Sequence, residues 1–281
     1  NTNPSNMSGF KAKSKSYNSI TLQWNKNTSA TGYELQKWNG KKWVALAKIT
    51  KNSTTTYTVK SLKASATYKY RIRAYKTIGK ATQYSGYKEL SVNTNPSNMS
   101  GFKAKSKSYN SITLQWNKNT SATGYELQKW NGKKWVALTK ITKNSTTTYT
   151  VKSLKASSTY KYRIRAYKTI GKATQYSRYK ELSVNTNPSN MSGFKAKSTA
   201  KTSVTLQWKK NTSATGYEIQ KWNGKKWVSA AKVTKNSTVT STVKNLKKNT
   251  SYKFRIRAYK TIGKATQYSS WSGTLTVRTK K

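Results

Sequence analysis

The side chains able to do chemistry in this chain fall into three sets: five glutamates, 56 lysines and arginines, and a dense population of tryptophan and tyrosine. Cys, His and Asp are absent. Without thiol or imidazole there is no nucleophile, base or soft metal ligand of the usual kinds. The carboxylates, Glu34, Glu89, Glu126, Glu181 and Glu218, are too sparse for a paired acid and base or a metal cage. The expectation is a non-enzyme with no cofactor and no metal. What remains is recognition chemistry, in which aromatic faces stack on flat partners and cations hold anions.

The cations are spread along the chain. Formal net charge is +51 over 281 residues, and stretches 1–92, 93–184 and 185–281 carry +15, +16 and +20. A field of that size attracts polyanions and repels its own copies. An AT-rich genome would enrich lysine but should enrich glutamate too, so the scarcity of acids points to selection for one sign. The alternative is a solvated surface that blunts edge strands, which mixed signs would serve equally well.

The aromatics sit on a repeat. Trp24, Trp116 and Trp208 are 92 residues apart, and residues 1–92 match 93–184 except at Ala47/Thr139, Ala66/Ser158 and Gly86/Arg178. Three domains are therefore expected, 1–92, 93–184 and 185–281, each large enough for one modest core. Asn1 occupies the same point of the period as Asn93 and Asn185, and no initiator Met precedes it. The chain is expected to begin inside a longer secreted precursor or repeat array. No apolar run approaches the ~18 to 20 residues that cross a bilayer, so membrane insertion is not expected.

Within a repeat, hydrophobicity alternates with period two and nowhere with the period of a helix. Strands are expected at Phe10–Lys13, Ile20–Trp24, Tyr33–Trp38, a partner after Asn39-Gly40, Thr54–Val59, Tyr68 to about Lys76, and one last strand over Tyr84–Val92. In Tyr68-Lys69-Tyr70-Arg71-Ile72-Arg73-Ala74-Tyr75 the alternation sends Tyr68, Tyr70, Ile72 and Ala74 inward and Arg71, Arg73 and Tyr75 outward. Asn39-Gly40 reads as a two-residue type I′ turn. That turn pairs Trp38 with Lys41, Gln36 with Trp43, Leu35 with Val44 and Tyr33 with Leu46, leaving Trp38 and Trp43 on the outer face. Seven short strands with regular turn signals make an all-β chain of antiparallel two-sheet sandwiches.

The inward Trp24, Gly32-Tyr33-Glu34-Leu35, the Leu62-to-Tyr68 spacing, Tyr70-Arg71-Ile72-Arg73-Ala74 and Tyr84-Ser85 together resemble fibronectin type III domains, in all three repeats and most closely those of bacterial extracellular proteins. The resemblance implies three seven-stranded immunoglobulin-like sandwiches in tandem, with Leu62 and Tyr68 as a tyrosine corner, and an extracellular, secreted or cell-surface setting. It implies no activity, because the fold serves as spacer, adhesin and receptor module alike. No Arg-Gly-Asp is present. By the family's topology Glu34, Gln36, Trp38, Trp43, Arg71, Arg73 and Tyr75 share one outer face, with Tyr84 and Tyr87 beside them. Tyr268-Ser269-Ser270-Trp271-Ser272 resembles the aromatic-Ser-x-aromatic-Ser box of some receptor modules, which stacks aromatics between strand arginines.

Two readings of that face stand side by side. Arg71, Arg73, Arg163, Arg165, Arg255 and Arg257 form a structural ladder with aromatics, or they bind. Trp38 and Trp43, with Tyr75, form a ligand site repeated as Trp130, Trp135 and Tyr167 and as Trp222, Trp227 and Tyr259, or they are covered by lysine stems and neighbouring rings. The functional expectation is surface adhesion through binding of acidic or neutral polysaccharide, teichoic acid or a mucin-like polymer. Nucleic acid would be bound only non-specifically, since no module that reads it is present. The alternative is a spacer, stalk or filament of further copies of the chain.

Overall fold

The computed structural model describes residues 2–281. Among them there are 24 β-strands and no helix, eight strands to each repeat. The first repeat lies wholly within one of two compact units and the third wholly within the other, so each is described by itself.

In the first repeat the strands are β1 (Lys11–Lys15), β2 (Ile20–Gln23), β3 (Gly32–Trp38), β4 (Trp43–Ile49), β5 (Thr56–Val59), β6 (Thr67–Ile78), β7 (Ala81–Tyr84) and β8 (Lys88–Asn93). They form two antiparallel sheets. One has the order β1-β2-β5; the other runs β4-β3-β6-β7, with β8 also paired to β6. Alternate residues of both sheets point into the gap between them. Ile20, Leu22, Trp24, Tyr33, Leu35, Tyr70, Ile72 and Ala74, none more than 1% exposed, are the centre of the core. Met7 and Phe10 close it from the N-terminal segment. The third repeat builds the same core from Val204, Leu206, Trp208, Tyr217, Ile219, Phe254, Ile256 and Ala258. The all-β sandwich architecture expected from the alternation is the one observed.

Polar pins fix the loops. The Tyr33 hydroxyl accepts from the Asn27 backbone N–H (2.9 Å) and donates to the Asn52 carbonyl (2.8 Å), tying two loops to β3. The Asn27 Nδ2 donates to the Ser5 carbonyl (2.6 Å), holding the N-terminal segment against the domain. Leu62 packs on the core, and the Tyr68 hydroxyl accepts from the Lys63 backbone N–H (2.7 Å), closing the turn that leads into β6.

Three expectations about the strands need correction. The last strand is two strands: β7 pairs with the C-terminal half of β6 and β8 with its N-terminal half, and Ser85-Gly86-Tyr87 crosses between them. The final strand also runs past residue 92, since Asn93 pairs with Thr67 and the fully buried Thr94 donates its hydroxyl to the Lys63 carbonyl (2.7 Å). The third correction is register. Trp38 pairs with Trp43, Lys37 with Val44, Gln36 with Ala45, Leu35 with Ala47, Glu34 with Lys48 and Tyr33 with Ile49. Residues 39–42 form a four-residue loop closed by the Asn39 N–H donating to the Lys42 carbonyl (3.1 Å). The Asn39 side chain stabilises the longer loop by accepting the backbone N–H groups of Lys41 and Lys42. Leu46 is the extra residue of a bulge, and Leu46, Ala47 and Ile49 pack on the core.

Candidate functional site

The outer face of the larger sheet is where charge and aromatics meet. β3 and β6 place Glu34 opposite Arg73 and Gln36 opposite Arg71. Side chains directly opposite on one face are close enough to bond. Arg73 donates through Nη2 and Nε to Glu34 Oε2 (2.8 and 2.9 Å), and Arg71 donates through Nε to Gln36 Oε1 (2.8 Å). With its edge bonded, each guanidinium offers its flat faces to rings. Arg71 lies 4.7 Å from the Trp43 ring centre and 3.9 Å from that of Tyr87; Arg73 lies 4.8 Å from Tyr87 and 3.7 Å from Tyr84. The result is an alternating stack, Trp43, Arg71, Tyr87, Arg73, Tyr84, running from edge strand β4 across the sheet to β7.

The stack recurs in each repeat. In the second, Arg163 lies between Trp135 and Tyr179, and Arg165, ion-paired to Glu126, lies between Tyr179 and Tyr176. In the third, Arg255 lies between Trp227 and Trp271, and Arg257, paired to Glu218, between Trp271 and Tyr268. Burial and then the neighbouring Arg257 lower the affinity of Arg255 for its proton. Burial likewise raises the pKa of Tyr179, against the opposing pull of Arg165 and Arg163. Each ion pair keeps about a quarter of its arginine exposed, so it contributes only ~0.2 to 1 kcal/mol. Each cation–π layer adds ~0.5 to 2 kcal/mol.

Serine makes the crossing after β7 possible. Ser85 Oγ accepts the Ala74 N–H (2.9 Å) and donates to the Gly86 carbonyl (3.0 Å), fastening the break between β7 and β8 to β6. In the third repeat Ser269 does the same, and Ser272 adds a second fastening by accepting the Ile256 N–H (3.0 Å).

The geometry divides the expected ligand residues. Trp38 and Trp43 both stand on the outer face, with ring centres 5.5 Å apart and planes at 68°. Trp130/Trp135 and Trp222/Trp227 repeat this edge-to-face arrangement at 66° and 64°. Such a pair is no flat two-ring platform, and Trp43 also has one face under Arg71. Trp38, 37% exposed, is the open aromatic at the end of the stack, as is Trp130 at 36% in the second repeat.

Tyr75, Tyr167 and Tyr259 are no ligand site. They are only 3%, 4% and 5% exposed. Tyr75 lies opposite Gly32, where a Cβ would stand 2.0 Å from the Ile49 carbonyl oxygen and 2.8 Å from the Tyr75 hydroxyl. The ring fills space that only glycine leaves, Lys48 covers it at 4.9 Å, and its hydroxyl donates to the Ile49 carbonyl (3.4 Å). The Gly32–Tyr75 cross-strand pair was the available signal, since aromatic rings commonly cover strand glycines. Sequence reasoning placed Gln36 on this face and noted Tyr84-Ser85, but missed that the Gln36 amide holds Arg71 and that Ser85 fastens the strand break.

A model of the fibronectin type III domain matches residues 3–87, 95–181 and 187–274. Exoglucanase B of Cellulomonas fimi is 25% identical over 300 aligned residues, covering 99% of this chain and 26% of that protein. The chain thus spans about a quarter of the length of this relative. Among solved structures, the FN1-FN3 domains of chicken CNTN1 are 18% identical, with 100% of both chains covered and a TM-score of 0.38. A two-domain fibronectin type III segment of chicken tenascin is 17% identical over 64% of this chain and 99% of that one, with a TM-score of 0.42.

Proposed function

Because the chain belongs to the fibronectin type III family, we propose that it is a non-catalytic segment of a longer secreted or cell-surface protein, holding acidic polymers against that protein by charge. Acidic polysaccharide, teichoic acid and mucin-like chains share the chemistry required, a flexible polymer with repeated negative groups. The observation that carries this reading is where the acids go. Three of the five acids, Glu34, Glu126 and Glu218, are each committed to a ladder arginine. Glu89 and Glu181 stand exposed among many lysines, and among the described residues no lysine takes part in an ion pair. Nearly every lysine side chain in the first repeat is exposed. The surface offered to a partner is therefore cationic almost without interruption. Similarity to a quarter of an exoglucanase suits an accessory segment beside other domains.

The spacer reading has its own support. The ladder occupies the arginines and Trp43, leaving Trp38 as the open ring of that face in the first repeat. Titrating the chain with dextran sulfate and with uncharged dextran at increasing salt separates the two. Binding of the sulfated polymer alone, weakening by about tenfold or more between ~50 and ~200 mM salt, is expected from counterion release. Failure to bind, or binding indifferent to salt, makes the chain a spacer.

A further inference from the structure

We propose that the loops Asn39-Gly40, Asn131-Gly132 and Asn223-Gly224 are sites of spontaneous covalent modification, in which each asparagine becomes aspartate or isoaspartate through a cyclic imide. The reaction needs four things, and the loop supplies each. The nucleophile is the backbone nitrogen of the following residue, which any side chain there would crowd. Gly40 has none, stands exposed at φ +99°, and has nothing within 4 Å of where a Cβ would be. Gly132 and Gly224 are the same, at +101° and +97°.

The electrophile is the side-chain carbonyl, which becomes an oxyanion as its carbon is attacked. Asn39 Oδ1 already accepts the backbone N–H groups of Lys41 and Lys42 at 3.0 and 2.9 Å. The distances are identical at Asn131 and Asn223. Two fixed donors aimed at an oxygen that gains charge are the arrangement that stabilises tetrahedral intermediates of acyl transfer. The third requirement is loss of the amide proton from Gly40, which the exposed Lys41 and Lys42 and the large positive charge of the chain favour. The fourth is a free leaving group, and Asn39 Nδ2 donates to no protein acceptor among the described residues. Asn27 and Asn52 differ on these counts. Their Nδ2 groups donate to the Ser5 and Ala30 carbonyls (2.6 and 3.0 Å), and Thr28 and Ser53 follow them.

The bonds balance. The Gly40 nitrogen gives its proton to water and bonds to Asn39 Cγ; Nδ2 takes up a proton from water, the Cγ–Nδ2 bond breaks and ammonia leaves; water then opens the ring at either carbonyl. The sum is one asparagine and one water converted to one acid and one ammonia. A carboxylate appears beside Lys41, Lys42 and Trp38, and complete conversion lowers the net charge by three.

The test is incubation of the full chain in mildly alkaline buffer, folded and in urea, followed by peptide mapping for a gain of one mass unit. The three loops should convert about tenfold or more faster than Asn27 and Asn52, and no slower folded than in urea. Gly40→Ala should slow its own loop alone. Slower conversion in the folded chain, or equal rates at Asn27 and Asn52, overturns the proposal. The mass gain is read without reference to any ligand, so it stands or falls apart from polymer binding. If that reading also holds, retention on dextran sulfate falls with the converted fraction.

Discussion

Removing one buried oxygen should stabilise the first two repeats. Tyr70 and Tyr162 are fully buried, and their hydroxyls have no protein partner. In the third repeat the same core position is Phe254, equally buried and at the same 6.4 Å from its neighbouring ring as Tyr70 is from Tyr68. The fold thus accommodates the ring without the oxygen. Leaving a hydroxyl unpaired in the interior costs ~1 to 3 kcal/mol, while losing one oxygen from a packed site forfeits only a few contacts. The double variant Tyr70→Phe, Tyr162→Phe should gain about 1 kcal/mol per domain, or ~4 to 8 °C in Tm for domains of this size. Calorimetry on the full chain reads this, and Phe254→Tyr should move the third domain the other way. Burial also raises the pKa of both phenols in the folded state. Each group stays protonated in the native chain after it has ionised in the unfolded one, so the stability lost begins as pH climbs past the ordinary tyrosine value of about 10. The wild type should become less stable from there upward and the double variant should lose less. Destabilisation by Tyr70→Phe at neutral pH would refute the reasoning, because it would mean that the hydroxyl has a partner.

Tyr68→Phe should act in the opposite sense, costing the first domain about 1 kcal/mol through the unmade bond from the Lys63 N–H; an unchanged melting profile would contradict it. Trp43→Ala should remove an end of the stack and cost about 2 kcal/mol, whereas Trp38→Ala should cost under about 1 kcal/mol. Chemical denaturation of the two variants compares them directly.

The fold was legible because alternation survives even where pairing is misjudged. Reading Asn39-Gly40 as a two-residue turn displaced the tip register by an even number of residues, and an even displacement keeps every side chain on its face. Trp38 and Trp43 were therefore assigned to the correct side by the wrong pairing. Beyond Leu46 the bulge adds one residue and reverses parity, so Ala47 and Ile49, rather than Val44 and Leu46 alone, face inward. Nothing local in Val44-Ala45-Leu46-Ala47 marks where the extra residue sits. Tyr75 fails for another reason: alternation gives the side of a sheet, and burial on that side depends on what the opposite strand offers, here the bare backbone of Gly32. The ladder was legible in part, since arginines two apart opposite Glu and Gln imply paired guanidiniums once strand order is given. That Trp43 stacks on Arg71 while Trp38 stays open is a matter of side-chain packing, which alternation and pairing do not reveal.

Both bulges of the first repeat fall on outermost strands. Lys13 is the extra residue of β1 against β2, and Leu46 that of β4 against β3. Equivalent irregularities recur in the other two repeats. A border strand that is kinked and bears lysine is a poor template for another chain. Tandem domains of near-identical sequence ordinarily risk mistaking a neighbour's strands for their own while they fold. Here one border strand of each sheet counters that risk inside the module itself, which eases copying a module with scarcely a changed residue.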